Sequence, residues 1–380
     1  MVGLLSCILL YLCGERLTEQ MHRKGQEFIL EQAQSTYAPS LAYLKEDQST
    51  TWNEWLLDQI STLVPLADYV EKQEGYREET EDAATIAMIL EMQANDENMI
   101  DENGNLVGEE VPSDPQAVNA AIDMSIEKLR DFEYLLTNFY TVDSTTMIDA
   151  GQLNVDDLLS RDMKIDQSSG GPKVLVFHTH SQEAFADSVP GDTSTTIVGV
   201  GEYLTALLNA KGIPTIHNTG VYDLIDGKLD RSKAYEQAEV EVRKILEENP
   251  SIEVVIDLHR DGVGENTHLV TEVNGKPTAK IMFFNGLSRT RTNGDIEYLY
   301  NPYIQDNLSF SFQMQMACET HYPGFARHIY LKGYRYSLHM MPKSLLIEAG
   351  AQTNTVEEMK NAMEVLADAL YRVLIEGKDG

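Results

Sequence analysis

Four consecutive apolar residues, Val174-Leu-Val-Phe177, follow Gly170, Gly171 and Pro172 and run directly into His178-Thr-His-Ser-Gln-Glu183. A short, β-branched apolar run set off by turn residues predicts a buried strand. Ligands in α/β sheets gather beyond the carboxyl ends of the strands, and this strand delivers two imidazoles and a carboxylate there. His180 and Glu183 are three residues apart. In a helical turn that spacing lets both side chains reach one point, as two ligands of one Zn²⁺ must. Alone, His-x-x-Glu reads first as a polar turn capping a helix, since chance supplies such pairs often. Two later stretches repeat the pattern, however. Ile252-Glu-Val-Val-Ile-Asp-Leu predicts a second buried strand and ends on His259-Arg260-Asp261-Gly262. Ser344-Leu-Leu-Ile predicts a third and ends on Glu348-Ala-Gly350. Packing accounts for one such polar strand end; three together predict a site.

A chain of 380 residues can bury one large core and a smaller second unit. Against 29 Lys and Arg stand 61 Asp and Glu, a net charge of −32. The first 172 residues carry 33 of those acids and only 10 of the bases. So acidic a surface argues against nucleic acid as a partner, which needs basic patches, and against electrostatic docking on anionic lipid. Cysteine is confined to Cys7, Cys13 and Cys318, too few for a disulfide framework or a multi-cysteine structural zinc.

Residues 2–13, Val-Gly-Leu-Leu-Ser-Cys-Ile-Leu-Leu-Tyr-Leu-Cys, are uncharged and apolar. They fall short of the ~20 residues a spanning helix needs, and no basic n-region precedes them. We read residues 1–13 as a partial membrane anchor, which places the protein outside the cytoplasm with its N-terminus in the membrane. Residues 14–95 show helical spacing, as in Leu56, Ile60 and Leu63 or Ile86, Ile89 and Leu90. Residues 96–115 are acidic, Pro/Gly-containing and aperiodic, a linker. Residues 116–170 form a helical lead-in with Val118, Ile122, Ile126, Leu129, Phe132 and Leu136 near one face. From 171 to 377 strands and helices alternate. Helices are predicted over 198–211, 234–249 and 301–319, and a closing helix over 356–376 behind Thr355 as N-cap. The pattern predicts an α/β fold, a mixed sheet flanked by helices, preceded by a mainly helical N-terminal region.

Catalytic Zn²⁺ needs three protein ligands and an open position, with a carboxylate to carry the proton. His180, Glu183 and His259 fill the ligand places, and Glu348 is the candidate general base, since strand burial raises a carboxyl's pKa. His178, two residues from His180 in extended chain, should point the same way. Only His180 has the offset to Glu183, so it is preferred as ligand and His178 as its support. Arg260 and Asp261 could orient ligands or a substrate carboxylate. Arg335 and His339 precede the Glu348 strand as cleft candidates, and His217 reads as a strand-end residue without a metal role.

The motifs together resemble the stage II sporulation protein P family, peptidoglycan hydrolases of endospore-forming bacteria. The matching segments are Tyr140-Thr-Val-Asp-Ser-Thr-Thr, Leu153-Asn-Val-Asp-Asp-Leu-Leu, His178-Thr-His-Ser-Gln-Glu183, Asp257-Leu-His-Arg-Asp261, Tyr322-Pro-Gly324, Arg335-Tyr336 and Leu346-Ile-Glu-Ala-Gly-Ala-Gln-Thr-Asn-Thr-Val-Glu-Glu358. Ala351 stands where the family pattern has a glycine. The resemblance implies an amidase-like catalytic domain, a zinc-dependent N-acetylmuramoyl-L-alanine amidase with endopeptidase activity on peptide crosslinks also attributed to the family. It implies a membrane anchor, work between the mother-cell and forespore membranes during engulfment, and stage II sporulation proteins D and M as partners. Rival readings are a metallo-carboxypeptidase or endopeptidase on wall peptides, and a wall-binding scaffold without activity.

Overall fold

A computed structural model of the chain describes residues 122–225, 227–292 and 294–377. The anchor, juxtamembrane helices and linker predicted for residues 1–115 lie outside them. The lead-in carries α1 (Ile126–Leu129), α2 (Phe132–Phe139), a short strand β1 (Tyr140–Val142) and α3 (Val155–Ser160). Next come β2 (Val174–Phe177), α4 (Ile197–Ala210) and β3 (Thr215–His217). A hairpin of β4 (Leu224–Ile225) and β5 (Lys228–Leu229) precedes α5 (Ala234–Glu248) and β6 (Val254–Asp261). The hairpin β7 (Val270–Val273) and β8 (Lys276–Ala279) leads to β9 (Ile281–Gly286). A third hairpin, β10 (Arg289–Thr290) and β11 (Gly294–Asp295), leads to α6 (Ile304–His321), then β12 (Ile329–Lys332). β13 (Lys343–Ala351), α7 (Val356–Tyr371) and one π turn, Arg372–Glu376, close the described chain.

Seven strands form one sheet in the order β1-β12-β9-β13-β6-β2-β3. Neighbours pair in parallel except β9 and β13, which pair antiparallel. The sheet is therefore mixed, and helices cover both faces, as the alternation predicts.

Side-chain alternation divides each buried strand between the two faces. Val174 and Val176 of β2, with Val254, Ile256 and Leu258 of β6, face one core with α4, α6 and α7. Leu175, Phe177 and Val255 turn the other way, onto Ala234, Ala238 and Val242 of α5. Met282, Phe284 and Leu346 share that second face with Tyr235 of α5. Strands this apolar on both faces cannot sit at a solvated surface, so both layers of helix are required.

Two local devices fix the ends of β13 and α7. The strand register shifts between Glu348 and Ala351, where Gly350 takes φ +56°, a left-handed conformation that favours glycine. Thr355 then caps α7 in a reciprocal box with Glu358, and Asn354 ties the strand end to the cap by accepting from the Ala351 amide.

Candidate metal centre

β2, β6 and β13 lie side by side and run parallel, so their carboxyl ends deliver polar residues to one edge. His259 lies on β6 directly opposite Glu348 on β13. His180 and Glu183 come from the segment after β2. There the chain makes a turn at Ser181 and Gln182, not the helical turn expected from the spacing, and α4 starts only at Ile197. The turn brings the pair together all the same: His180 Nδ1 is 3.6 Å from Glu183 Oε1. His259 Nδ1 approaches that same oxygen to 3.8 Å. The His180 and His259 rings stand nearly perpendicular, 4.9 Å between centres.

These three donors suit a cation. One ligating atom from each of His180, Glu183 and His259 lies within 4.8 Å of the others. Ligands held tetrahedrally at ~2.1 Å from Zn²⁺ stand about 3.4 Å apart, close to the spacings observed. His180 Nε2 is buried without a hydrogen-bond partner. His259 uses its other nitrogen, Nε2, on Asp257 Oδ1 at 2.7 Å, the carboxylate support that metal-binding imidazoles use. Asp257 is itself fixed by the Thr179 amide at 2.9 Å and the Thr179 hydroxyl at 2.7 Å. Glu183 accepts from the Arg260 amide through Oε2 at 2.8 Å, so its second oxygen is oriented too.

Electrostatics reinforce the arrangement. Burial opposes ionisation of Glu183, but the imidazoles of His180 and His259 more than offset it and hold the carboxyl well below its usual range. Burial likewise opposes the His259 charge, yet Asp257 and Glu183 raise its pKa well above normal. His180, with burial dominant, is pushed down. Glu348 goes the other way: burial lifts its pKa to about 8, His259 pulls against this, and Asp261 and Glu183 add to it. Its Oε2 is buried without a hydrogen-bond partner.

Tyr235 of α5 forms the wall opposite the strands. Its ring lies edge-on to His180, 5.5 Å between centres, and parallel to His259 at 6.5 Å. Tyr336, with φ +52°, meets Tyr235 edge to face at 5.5 Å. Arg231, Arg260, Asp261, Gly262, Phe284 and Leu346 complete the lining. Asp261 is held by Arg327 in a fully buried pair at 2.7 Å.

His178 stands apart from this cluster. β2 ends at Phe177, and alternation sends His178 to the Val176 face, under α4. It does not share a direction with His180, because the chain between them is no longer extended strand. Its Nδ1 bonds the Leu258 carbonyl at 2.7 Å and its Nε2 meets His217 Nε2 at 2.9 Å. Burial, with help from His217, takes its pKa down to about 4. A Cβ on Gly201 of α4 would fall 2.5 Å from the His178 ring, so the helix rests against this pair. Arg335 and His339 also stand outside the cleft lining; both face Glu239 of α5, at 3.2 and 2.9 Å. Tyr235 and Arg231 carried no motif. Asp257 left a signal, since it is two residues from His259 on a strand and must share its face.

Fold and site define an α/β protein with a buried His-Glu-His donor set beside a raised-pKa carboxyl. The sequence profile of stage II sporulation protein P matches residues 40–371, and the chain belongs to that family. Stage II sporulation protein P of Bacillus subtilis (strain 168) is 24% identical over 218 residues, 53% of this chain and 51% of that protein. The chain thus spans about half the length of that relative. Among solved structures, the CwlD amidase of Clostridioides difficile in complex with the GerS lipoprotein is similar at TM-score 0.32 and 15% identity, over 52% of this chain and 94% of that one. The catalytic domain of CwlV, an N-acetylmuramoyl-L-alanine amidase from Bacillus (Paenibacillus) polymyxa var. colistinus, gives 0.30 and 13%, over 53% and 97%.

Proposed function

We propose that this chain is a zinc-dependent peptidoglycan hydrolase that cleaves the amide between N-acetylmuramic acid and L-alanine during spore engulfment. The observation that carries the reading is the convergence of His180, Glu183 and His259 on one point, with Glu348 in register beside His259. Membership of the sporulation family supplies the wall as substrate and the developing spore as setting. A divalent ion held by His180, Glu183 and His259 would supply Lewis acidity and lower the pKa of water.

The chain's own residues do the rest. Asp257 and Thr179 hold the His259 ring in one orientation, and the Arg260 amide does the same for Glu183. Glu348 Oε2 has no competing partner, so it is free to take the proton from attacking water and return it to the departing nitrogen. Tyr235, Phe284 and Leu346 exclude bulk solvent, which strengthens each of these interactions. Work outside the cytoplasm, and complexes with stage II sporulation proteins D and M, belong to the same proposal. Among the described residues no helix is long and apolar enough to cross a membrane.

The test is metal content joined to product analysis. Full-length protein should carry one zinc per chain and His180→Ala should lose it. Digestion of purified peptidoglycan should release peptides with new L-alanine N-termini. New termini within the stem peptide or its crosslinks would favour an endopeptidase instead, and no release by the zinc-loaded chain would sink the hydrolase.

A further inference from the structure

In a chain of net charge −32, arginines find carboxylates readily. Arg327 meets Asp261 at 2.7 Å and Arg289 meets Asp295 at 2.6 Å. Two arginines that border the cleft, Arg231 ahead of α5 and Arg260 on β6, are different. Arg231 Nη2 comes only to 3.6 Å from Glu183 Oε1, beyond hydrogen-bond reach, and that oxygen already faces two imidazoles. Arg260 donates from Nη1 to the backbone carbonyl of its neighbour Asp261 at 3.1 Å. In both, Nε is buried with no hydrogen-bond partner, as it is in Arg327, but neither has the carboxylate bond that Arg327 keeps. A buried donor left unmade is costly, and two in one cleft, each on a planar fork shaped to grip a carboxylate, mark a place for an anion. The carboxylates already in the cleft do not fill it. Asp261 is taken by Arg327, Glu183 belongs to the donor set, and Oε2 of Glu348 makes no hydrogen bond to either arginine.

We infer that Arg231 and Arg260 form a carboxylate subsite beside the scissile amide. It takes a wall peptide with a free acidic group on the second residue after the cleaved bond and discriminates against the same peptide when that group is amidated. The inference rests on the hydrolase reading, and it names the class of substrate that the site prefers.

Binding separates the two. Calorimetric titration of the full-length, zinc-loaded Glu348→Gln protein would use N-acetylmuramoyl-L-alanyl-D-isoglutamate and its isoglutamine counterpart as probes, both capped as the methylamide at the γ-carboxyl so that only the α-group differs. The acid form should bind about tenfold or more tightly than the amide, the loss expected for one charge-assisted bond. Arg260→Gln and Arg231→Gln should each shrink that ratio, and the double variant should bring it to within about twofold. Arg260→Lys, which keeps the charge but not the fork, should keep part of it, and guards against a glutamine variant that fails to fold. Equal affinity for both probes, or an undiminished preference in the glutamine variants, overturns the subsite while wall digestion by the parent protein still stands. Binding of neither probe, with no digestion, overturns both.

Discussion

Glu348 and His259 occupy opposite positions on neighbouring parallel strands, and that pairing decides their chemistry. Burial opposes charge on both, but beside His259 the Asp257 and Glu183 carboxylates reverse it and raise the imidazole's pKa, whereas at Glu348 burial prevails and lifts the pKa to about 8. Replacing Glu348 with Gln keeps the shape and removes the proton carrier. We expect Glu348→Gln to retain zinc while wall hydrolysis falls by ~10²-fold or more, measured as metal content beside product release; undiminished turnover would remove Glu348 from the reaction. Asp257→Asn leaves the His259 ring in place but takes away its anionic partner. Zinc affinity in that variant should drop about 10–100-fold, read by competition with a chromogenic chelator, and an unchanged affinity would mean that the Asp257–His259 bond does not tune the site. The same residue scale explains His178. Its neighbours are apolar core, the Leu258 carbonyl and His217, which places it under α4 and away from the donor cluster.

At the scale of elements, α4, α6 and α7 are tied together by one carboxylate. Asp368 of α7 accepts from Lys211 at 2.8 Å, from the Tyr322 hydroxyl at 2.7 Å and from Arg372 at 2.8 Å. Partial burial works against its charge, but these three donors take its pKa down to about 2 from 3.8. A depressed carboxyl contributes stability that is complete above its unfolded value and lost as pH falls toward its folded one. The window here is therefore roughly pH 4 down to 2, and solvent screening limits the effect to about 1 kcal/mol. Urea midpoints at pH 6 and pH 2.5 should converge between wild type and Asp368→Asn at the lower value; a gap that stays constant would show that the network adds nothing. Elements also account for what could be seen in advance. The strands around Val174, Val254 and Leu345, and the Thr355 cap, rest on neighbours within a few residues. Tyr235 and Arg231 do not. They reach the cleft because α5 packs across Leu175, Phe177 and Val255, and no local spacing announces that contact. Arg335 and His339 stand outside the cleft lining for the converse reason: Glu239, on that same helix, draws them aside.

For the whole molecule, the donor set links the site to the stability of the sheet. The three ligands come from two separate segments, the turn after β2 and strand β6, and Glu348 adds β13. A cation that binds the folded chain alone adds about 2.7 kcal/mol at a hundredfold excess over its Kd, which for a unit of this size is a shift of several degrees in Tm. Chelation should lower the thermal midpoint by that amount in the wild type and leave His259→Ala unmoved, and an equal loss in both would place the metal elsewhere. By itself the sequence determined which segments become buried strands and which polar residues stand at their ends, because period, turn chemistry and capping act over a handful of residues. Only the tertiary structure decided that β13, β6 and β2 are neighbours although far apart in the chain, that His178 turns under α4 while His180 turns into the cleft, and that α5 closes the site. Strand order and the choice of face depend on how whole layers pack, and that free energy is shared among residues no local pattern connects.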